Sequence, residues 1–306
     1  GVDRPGDMEY LLNIVKPKVG VFTKIGESHL EFFKSIDEIK EEKFLLVKNL
    51  PKDGYAILNF ADERIREIAK RVETNIISYG FGEEVEVRAE DIKFSNAVEF
   101  KPENFYAIGL KFKISYRRGS VYVFLPGAIS SASIEAALAG ASVGLAYKMS
   151  LAEISEALKN FKNPAGRMNL LAGIKNTLIV DDTYNSSPQS SLMALDAIKN
   201  IKLSERAKKK AVLGDMMELG SFTEDGHRLV GRKVIEFGMN ELVAVGERAR
   251  DIGSGAIERG MAEEKIFYFP NSEKAKMFVQ ERIKEGDLIL IKGSQGARME
   301  KIVKEI

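Results

Sequence analysis

The first 80 residues of this chain alternate between two patterns of apolar positions. Three stretches have apolar residues at every third or fourth position, as on one face of a helix, at 8–15, 35–50 and 63–72. Three short apolar runs, typical of buried strands, occupy 19–25, 55–59 and 75–79. Helices that alternate with buried strands predict βαβ units and a parallel sheet.

The pattern changes in the next part of the chain. Short runs at 85–87, 110–116 and 121–125 predict antiparallel β-structure, and the polar residues at 117–120 predict a hairpin turn. Two helical patterns close this half, at 134–147 and 151–161. We therefore expect a parallel sheet with a small antiparallel element beside it.

Regular alternation returns after a polar segment with Pro and Gly at 163–166. The strand-like runs of the second half are 177–180, 211–214, 242–245, 266–268 and 288–291. The helical patterns between them are 189–199, 224–237, 248–259 and 272–284. We predict an α/β protein with one domain at 1–165 and a doubly wound, Rossmann-like domain at 166–306.

Composition narrows the class of protein. The 306 residues include 46 basic and 45 acidic side chains, a balance that argues against nucleic-acid binding by a general positive field. The chain has no cysteine, which excludes disulfides, thiolate metal sites and cysteine nucleophiles. No apolar run approaches the roughly 18 residues of a membrane helix, and the N-terminus lacks a signal-peptide pattern. We expect a soluble cytoplasmic protein without membrane insertion.

Candidate chemistry is concentrated where buried strands end. The blocks are DDTYN at 181–185, GDMMELG at 214–220 and KGSQGARME at 292–300. Each follows an apolar strand-like run. Open α/β sheets bind their ligands at the carboxyl ends of their strands, so these blocks predict a ligand site along one edge of the second sheet.

These three blocks, in this order and preceded by Gly166-Arg167-Met168, resemble the C-terminal part of the Mur ligases and most of all the MurF branch. The resemblance implies that 1–165 is the C-terminal part of the central ATPase domain and that 166–306 is the C-terminal Rossmann-like domain. It implies a peptidoglycan-precursor ligase that uses ATP and Mg²⁺. Such an enzyme joins D-alanyl-D-alanine to UDP-MurNAc-tripeptide through an acyl phosphate.

On the nucleotide side, the resemblance implies that Arg167 contacts the ATP phosphates and that Asp182 binds the nucleotide through the ribose. A planar guanidinium with paired donors suits phosphate oxygens. Tyr184 and Asn185, from the same loop, would contact the nucleotide and face the incoming substrates. The residues alone leave two simpler interpretations open. Arg167 is then a boundary arginine paired with an acid, and Asp182 caps the helix at Pro188.

On the amino-substrate side, the resemblance implies that Lys292, Ser294 and Arg298 line the site. The simpler interpretation of 292–294 is a strand-end turn whose serine caps the final helix. His227 also lies in a stretch that resembles the family, but the sequence assigns it no role.

His29 and Lys43 match the family's metal site. The resemblance implies that His29 helps to hold Mg²⁺ and that Lys43 is carbamylated, its carbamate serving the metal. Carbamylation requires a neutral amine, so the pKa of Lys43 must fall well below the reference value of about 10.4. The simpler interpretations are a structural or exposed histidine and a helix-surface lysine beside Lys40 and Lys48.

Parts of the family pattern are absent. No Gly-Lys-Ser or Gly-Lys-Thr occurs in the sequence, so it lacks the phosphate loop Gly-x-x-Gly-Lys-[Ser/Thr]. Gly1 matches the glycine of the family's Glu-x-Gly, which would place an acidic metal ligand just before it. Lys24 replaces an asparagine that is common in the family. Ala132 and Ser133 replace a His-Asn pair on the adenine side.

We therefore expect an incomplete form of the ligase that is inactive alone, with the missing N-terminal portion on another chain as one possibility. Two alternatives stay open from the sequence. One is another Mur-type amide ligase, similar to folylpolyglutamate or cyanophycin synthetase. The other is a noncatalytic binding module that has lost its ATPase half.

Overall fold

The computed structural model describes residues 1–26, 32–95, 108–199 and 201–306. The chain divides into two compact units. The first comprises Gly1–Lys93, Lys111–Leu125 and Ser131–Phe161, and the second comprises Phe94–Leu110, Pro126–Ser130 and Lys162–Ile306. Within the described residues, none of the helices combines the length and the apolar character needed to cross a bilayer.

The N-terminal part of the chain contains five helices and six strands among its described residues. The helices are α1 (Asp7–Ile14), α2 (Ile36–Lys48), α3 (Glu63–Ala69), α4 (Ser131–Ala146) and α5 (Leu151–Leu158). The strands are β1 (Val19–Phe22), β2 (Tyr55–Asn59), β3 (Asn75–Gly80), β4 (Val87–Ser95), β5 (Gly109–Tyr116) and β6 (Gly119–Pro126). Polar residues begin several of these helices. The Ser35 hydroxyl accepts the N–H of Glu38 at the start of α2, and Ser150 and Glu153 form a capping box at α5.

These strands form one six-stranded sheet in the order β1-β2-β3-β4-β5-β6. As predicted, β1, β2 and β3 are parallel. The sequence predicted that the next strand belongs to an antiparallel element, but β4 pairs in parallel with β3 at Val87 and Arg88. The Ser78 hydroxyl accepts the N–H of Glu86 at 3.0 Å, which brings the chain back beside β3. β5 and β6 are joined by two residues only, a connection that antiparallel neighbours make.

The core of the first unit lies between the parallel strands and their helices. Apolar residues of β2 are buried together with residues of α2 and α3, namely Ala56, Leu58, Phe44, Val47, Ile65 and Ile68. The helix α4 packs against β1, β2 and β3. These contacts fix the carboxyl ends of β1 and β2, where Lys43 and its neighbours lie.

The C-terminal part has the predicted alternation. Its strands are β7 (Asn169–Ala172), β8 (Leu178–Asp182), β9 (Lys209–Gly214), β10 (Glu241–Val245), β11 (Ile266–Phe269) and β12 (Leu288–Lys292). Its helices are α6 (Pro188–Lys199), α7 (Thr223–Glu236), α8 (Arg250–Glu258), α9 (Ser272–Arg282) and α10 (Glu300–Val303). The sequence patterns did not predict β7 or α10.

The second sheet has the order β11-β10-β9-β12-β8-β7. Its first five strands are parallel, and β7 is an antiparallel edge strand paired with β8. Helices cover both faces, which makes the fold doubly wound. Along β12, Leu288 and Leu290 contact the cluster that includes α6, α7 and α8, whereas Ile289 and Ile291 contact the cluster that includes α9 and α10. This alternation follows from the two-residue period of a strand.

Candidate active site

The loops after β8, β9 and β12 lie side by side at the carboxyl edge of the second sheet. β12 lies between the other two strands, and its last residue, Lys292, is in register with Asp182 of β8 and Leu213 of β9. The chain thus crosses from β8 to β9 past an inserted strand. Ligands of open α/β sheets bind at such a point.

Lys292 lies beneath the loop that follows β8. Its side chain is buried, with 1% of its surface exposed, and its Nζ donates to Asp182 Oδ2 at 2.6 Å and to the Asn185 carbonyl at 2.9 Å. Burial lowers the pKa of Lys292, and the Asp182 carboxylate opposes that shift. In this arrangement the lysine is an internal partner of the 182–185 loop rather than an exposed group.

Asp181 and Asp182 hold the segment at the start of the C-terminal part. Asp181 Oδ2 accepts the N–H of Gly166 at 2.9 Å, and Asp182 Oδ1 accepts the N–H of Met168 at 3.1 Å. The Gly166 carbonyl accepts the N–H of Tyr184 at 3.0 Å. The predicted helix cap at Pro188 is therefore not the role that Asp182 has here, because its carboxylate bonds elsewhere.

Arg167 projects from this segment and stacks on an aromatic ring. Its guanidinium carbon lies 4.1 Å from the centre of the Tyr184 ring, a cation–π contact, and both side chains are exposed. Within the described part of the chain, no carboxylate forms an ion pair with Arg167. The guanidinium therefore keeps its donors available for a ligand.

Ser294 joins all three loops. Its hydroxyl accepts the N–H of Met217 at 2.9 Å and donates to the Ser186 carbonyl at 3.3 Å. The side chain is buried and makes no capping bond to the short 3₁₀ turn Gln295–Ala297. The capping interpretation of Ser294 is therefore wrong. The residue connects the ends of β8, β9 and β12 instead.

Arg298 lies at the rim of a cavity of about 770 Å³ beside these loops. It is exposed, it has a left-handed backbone (φ 53°), and its Nε donates to Glu300 Oε1 at 2.9 Å. The other cavity-lining residues come from the boundary segment, the DDTYN loop, the turn after β12 and the end of α10. They include Gly166, Asp181, Tyr184, Gln295, Gly296 and Lys304. The cavity lining thus combines the cationic side chains of Arg298 and Lys304 with the carboxylates of Asp181 and Glu300.

His227 is buried beneath the GDMMELG loop that follows β9. It is fully buried in α7, its Nε2 accepts the N–H of Met216 at 3.0 Å, and its Nδ1 lies 2.7 Å from the Thr223 carbonyl. A carbonyl can only accept, so the proton is assigned to Nδ1 and the ring is neutral. No role for this histidine was predicted from the sequence. Its position on the buried face of α7 shows that it supports the GDMMELG loop.

Lys43 belongs to the first unit, at the carboxyl end of β1. Its half-buried side chain donates from Nζ to the Lys24 carbonyl at 3.4 Å. Burial lowers the pKa of Lys43, and the Asp62 carboxylate opposes the shift. Lys40, one turn earlier on α2, has its pKa raised by a hydrogen bond to Asp37. The neutral amine is therefore favoured at Lys43 and disfavoured at Lys40.

Asn59 is a polar centre that the sequence analysis missed. It is buried at the end of β2, and its Nδ2 donates to the Thr23 carbonyl and to Glu135 Oε2, both at 2.9 Å. Glu135 lies in the first turns of α4, just after Ala132 and Ser133. An asparagine at the carboxyl end of a parallel strand was the available signal.

His29 lies outside the described residues, so its relation to Lys43 stays a prediction. Among the residues that the structure describes, no three His, Asp or Glu side chains come together as a metal site. The described residues therefore do not by themselves fit Mg²⁺.

Two family models match the chain in succession. The model of the Mur ligase middle domain matches residues 1–119, and the model described as "Mur ligase, glutamate ligase domain" matches residues 166–295. The chain belongs to the Mur ligase family. The second model covers Arg167, the DDTYN and GDMMELG blocks, and Lys292 and Ser294.

Individual Mur ligases extend the match over the whole chain. The UDP-N-acetylmuramoyl-tripeptide–D-alanyl-D-alanine ligase of Buchnera aphidicola subsp. Baizongia pistaciae is 28% identical over 309 residues, which cover 100% of this chain and 62% of that protein. A crystal structure of MurF from Acinetobacter baumannii has a TM-score of 0.78 at 28% identity and covers 100% and 63% of the two chains.

The MurF ligase of Thermotoga maritima, solved in complex with ADP, has the same fold. Its TM-score is 0.79 at 24% identity, with 99% of this chain and 64% of that one covered. The chain therefore spans a little less than two thirds of the length of the Mur ligases it matches.

Proposed function

We propose that this chain forms part of an ATP-dependent ligase that joins D-alanyl-D-alanine to UDP-MurNAc-tripeptide. In that reaction a carboxylate oxygen of the tripeptide attacks the γ-phosphorus of ATP, ADP leaves, and an acyl phosphate forms. The dipeptide amine then attacks the acyl carbon, inorganic phosphate leaves, and the amine loses a proton. Membership of the Mur ligase family and the match to D-alanyl-D-alanine-adding relatives over the whole chain support this proposal.

The observation that carries the proposal is the exposed guanidinium of Arg167. It rests on the Tyr184 ring at the carboxyl edge of the second sheet and has no carboxylate partner within the described residues. Phosphoryl transfer is accelerated mainly by positioning and by neutralising phosphate charge. Arg167 would supply part of that charge, and Asp182 and Tyr184 would contact the rest of the nucleotide.

The amino substrate would bind in the cavity beside Arg298. D-alanyl-D-alanine has a carboxylate, and Arg298 and Lys304 are the cationic side chains among the residues that line the cavity. Asn185, exposed on the DDTYN loop, would contact the substrates directly. Lys292 and Ser294 are buried and bonded to the loops. They would therefore act on the substrate through the loop backbone that they hold.

Lys43 would act as a carbamate. Its lowered pKa and half-buried position support the capture of carbon dioxide by a neutral amine. The carbamate would supply two oxygen atoms, the ligand type that Mg²⁺ prefers.

Binding of each substrate can be tested separately. We expect calorimetry with ATP and magnesium to show binding weaker than micromolar, because the sequence lacks the phosphate loop. We expect D-alanyl-D-alanine, but not L-alanyl-L-alanine, to give saturation-transfer NMR signals that Arg298→Ala weakens. Equal signals from both dipeptides would contradict the proposed substrate.

Catalysis is the second arm of the test. The absence of Gly-Lys-[Ser/Thr] from the sequence favours a binding role without turnover for this chain when it is alone. We therefore expect no phosphate release when ATP, UDP-MurNAc-tripeptide and D-alanyl-D-alanine are all present. Steady phosphate release would show that the chain catalyses the reaction without that loop.

A further inference from the structure

Arg167 is held in an unusual turn. The residues on both sides of it, Gly166 and Met168, have left-handed backbones, with φ of 72° and 50°. A left-handed conformation is unfavourable for a methionine, so surrounding contacts must stabilise it. At Gly166, an added Cβ would lie 3.1 Å from the backbone nitrogen of Tyr184. The turn therefore depends on its neighbours and on a close approach to the DDTYN loop.

The contacts that stabilise the turn are to three polar side chains. Asp181 accepts the N–H of Gly166, and Asp182 Oδ1 accepts the N–H of Met168. Asn163 Nδ2 donates to the Met168 carbonyl at 2.9 Å. The Asp182 carboxylate is itself held by a charged group, because its other oxygen accepts from Lys292 Nζ at 2.6 Å.

Among the described residues, the hydrogen bonds of the Lys292 side chain all go to the 182–185 loop. Its ammonium donates to the Asp182 carboxylate and to the Asn185 carbonyl, and it is almost completely buried. Both acceptors belong to the loop on which the Arg167 side chain stacks. Loss of one partner of a buried ion pair leaves an uncompensated charge, which drives the remaining group to rearrange.

We propose that Lys292 is a positioning residue for Arg167. Its ammonium fixes Asp182 and the 182–185 loop. Asp182 in turn holds the amide of Met168, so that the 166–168 turn keeps the Arg167 guanidinium over the Tyr184 ring. The importance of this arrangement for phosphate binding rests on the proposed function. The arrangement itself can be tested without any nucleotide.

The same domain offers a matched control. Lys210 is also a buried lysine, with Asp287 at 3.1 Å, Glu241 at 3.4 Å and a backbone acceptor, the Arg282 carbonyl, at 2.7 Å. It lies near the amino end of β9, whereas Lys292 is the last residue of β12. A variant at Lys210 therefore removes a comparable buried ion pair away from the 166–168 turn.

The first measurement is amide hydrogen exchange of the full chain by NMR. We expect Lys292→Met to accelerate exchange of the Met168 amide by about tenfold or more relative to the central amides of β12. Lys210→Met should leave that ratio unchanged. If Lys292→Met fails to fold, Lys292→Gln replaces it with the same expectation.

The second measurement follows the stacking contact directly. The chain has no tryptophan, so Tyr184→Trp introduces a single fluorophore beneath Arg167. In that background we expect Lys292→Met, but not Lys210→Met, to alter the emission and to increase quenching by acrylamide. Arg167→Ala should produce a similar change. An unchanged Met168 exchange ratio and unchanged emission in Lys292→Met would overturn the proposal, whatever the ligand of this site is.

Discussion

Lys40 and Lys43 show how strongly one helical turn changes the chemistry of an amine. The pKa of Lys43 is lowered by burial, and that of Lys40 is raised by its bond to Asp37. At a given pH, more of Lys43 is therefore neutral and nucleophilic, and its reactivity rises at lower pH than that of an ordinary lysine. We expect acetic anhydride at pH of about 8 to label Lys43 at least threefold faster than Lys40.

Mass spectrometry of limited labelling measures that ratio, and its inversion would contradict the environment described here. The carbamate itself can be tested by ¹³C NMR in labelled bicarbonate. We expect one protected carbamate signal that Lys43→Ala removes and Lys40→Met retains. A signal that survives in Lys43→Ala would assign the carbamate to another amine.

His227 should be important for stability. His227→Ala would leave a cavity and an unpaired N–H at Met216, and we expect it to lower the free energy of unfolding by about 2–4 kcal/mol. Arg232→Ala, on the same helix, removes an ion pair with Glu258 and should cost less than about 1 kcal/mol. Urea denaturation measures both. Similar losses in the two variants would mean that the buried histidine does not hold the loop.

Residue identity was easier to predict from the sequence than residue orientation. The motifs indicated Arg167, Asp182, Lys292 and Ser294, and the structure places these four at one edge of one sheet. Their roles with ligands stay predictions. The sequence could not show that Lys292 and Ser294 face inward, because burial depends on residues from three separate loops.

At the scale of helices and strands, the structure differs from the prediction where tertiary contacts set the end of an element or allow it to form. β1 ends at Phe22 rather than at residue 25, because the Thr23 carbonyl and the Ile25 N–H bond to the side chains of Asn59 and Asp62. β7 has four residues, too few for a clear periodic pattern, and exists through its pairing with β8. Long helices and buried parallel strands were predictable because their own apolar period is strong.

The packing of α7 against α8 depends on glycine. A Cβ at Gly231 would lie 1.9 Å from the Ile252 carbonyl oxygen, so the two helices would have to separate. We expect Gly231→Ala to lower the free energy of unfolding by about 2 kcal/mol or more, through overpacking. At Gly140, in α4, a Cβ meets nothing within 4 Å. Gly140→Ala should therefore be neutral or stabilising by up to about 1 kcal/mol, because alanine favours the helix. Thermal denaturation compares them, and a stable Gly231→Ala would contradict the close contact.

At the scale of the whole molecule, most of the second unit should fold without the rest of the chain. We expect residues 162–306 alone to unfold cooperatively, since they contain all six strands of the second sheet and the helices on both of its faces. Ile108 and Ile129 contribute to one of its apolar clusters, so the isolated segment should be less stable than the same domain in the full chain. Circular dichroism during heating tests this. An aggregated or noncooperative product would contradict it.

The predicted boundary at 165/166 remains a prediction at this scale. A polar segment with Pro and Gly marked it in the sequence. The Ile108 and Ile129 contacts could not be predicted, because they come from residues distant in the chain that pack with the second unit. Sequence patterns identify a linker more readily than segments from the first half of the chain that pack with the second unit.

In the loops at the carboxyl edge of the second sheet, exposed positions should tolerate substitution in protein engineering, and buried positions should not. Lys292 and Ser294 are buried and hold the loops through hydrogen bonds. Gln295, Gly296 and Arg298 are exposed and line the cavity. A side chain added at Gly296 would meet only the end of Met217, at 3.8 Å. A randomised library restricted to the exposed trio should therefore retain folded, soluble members with altered ligand preference. The same library at the two buried positions should lose most of its members at expression.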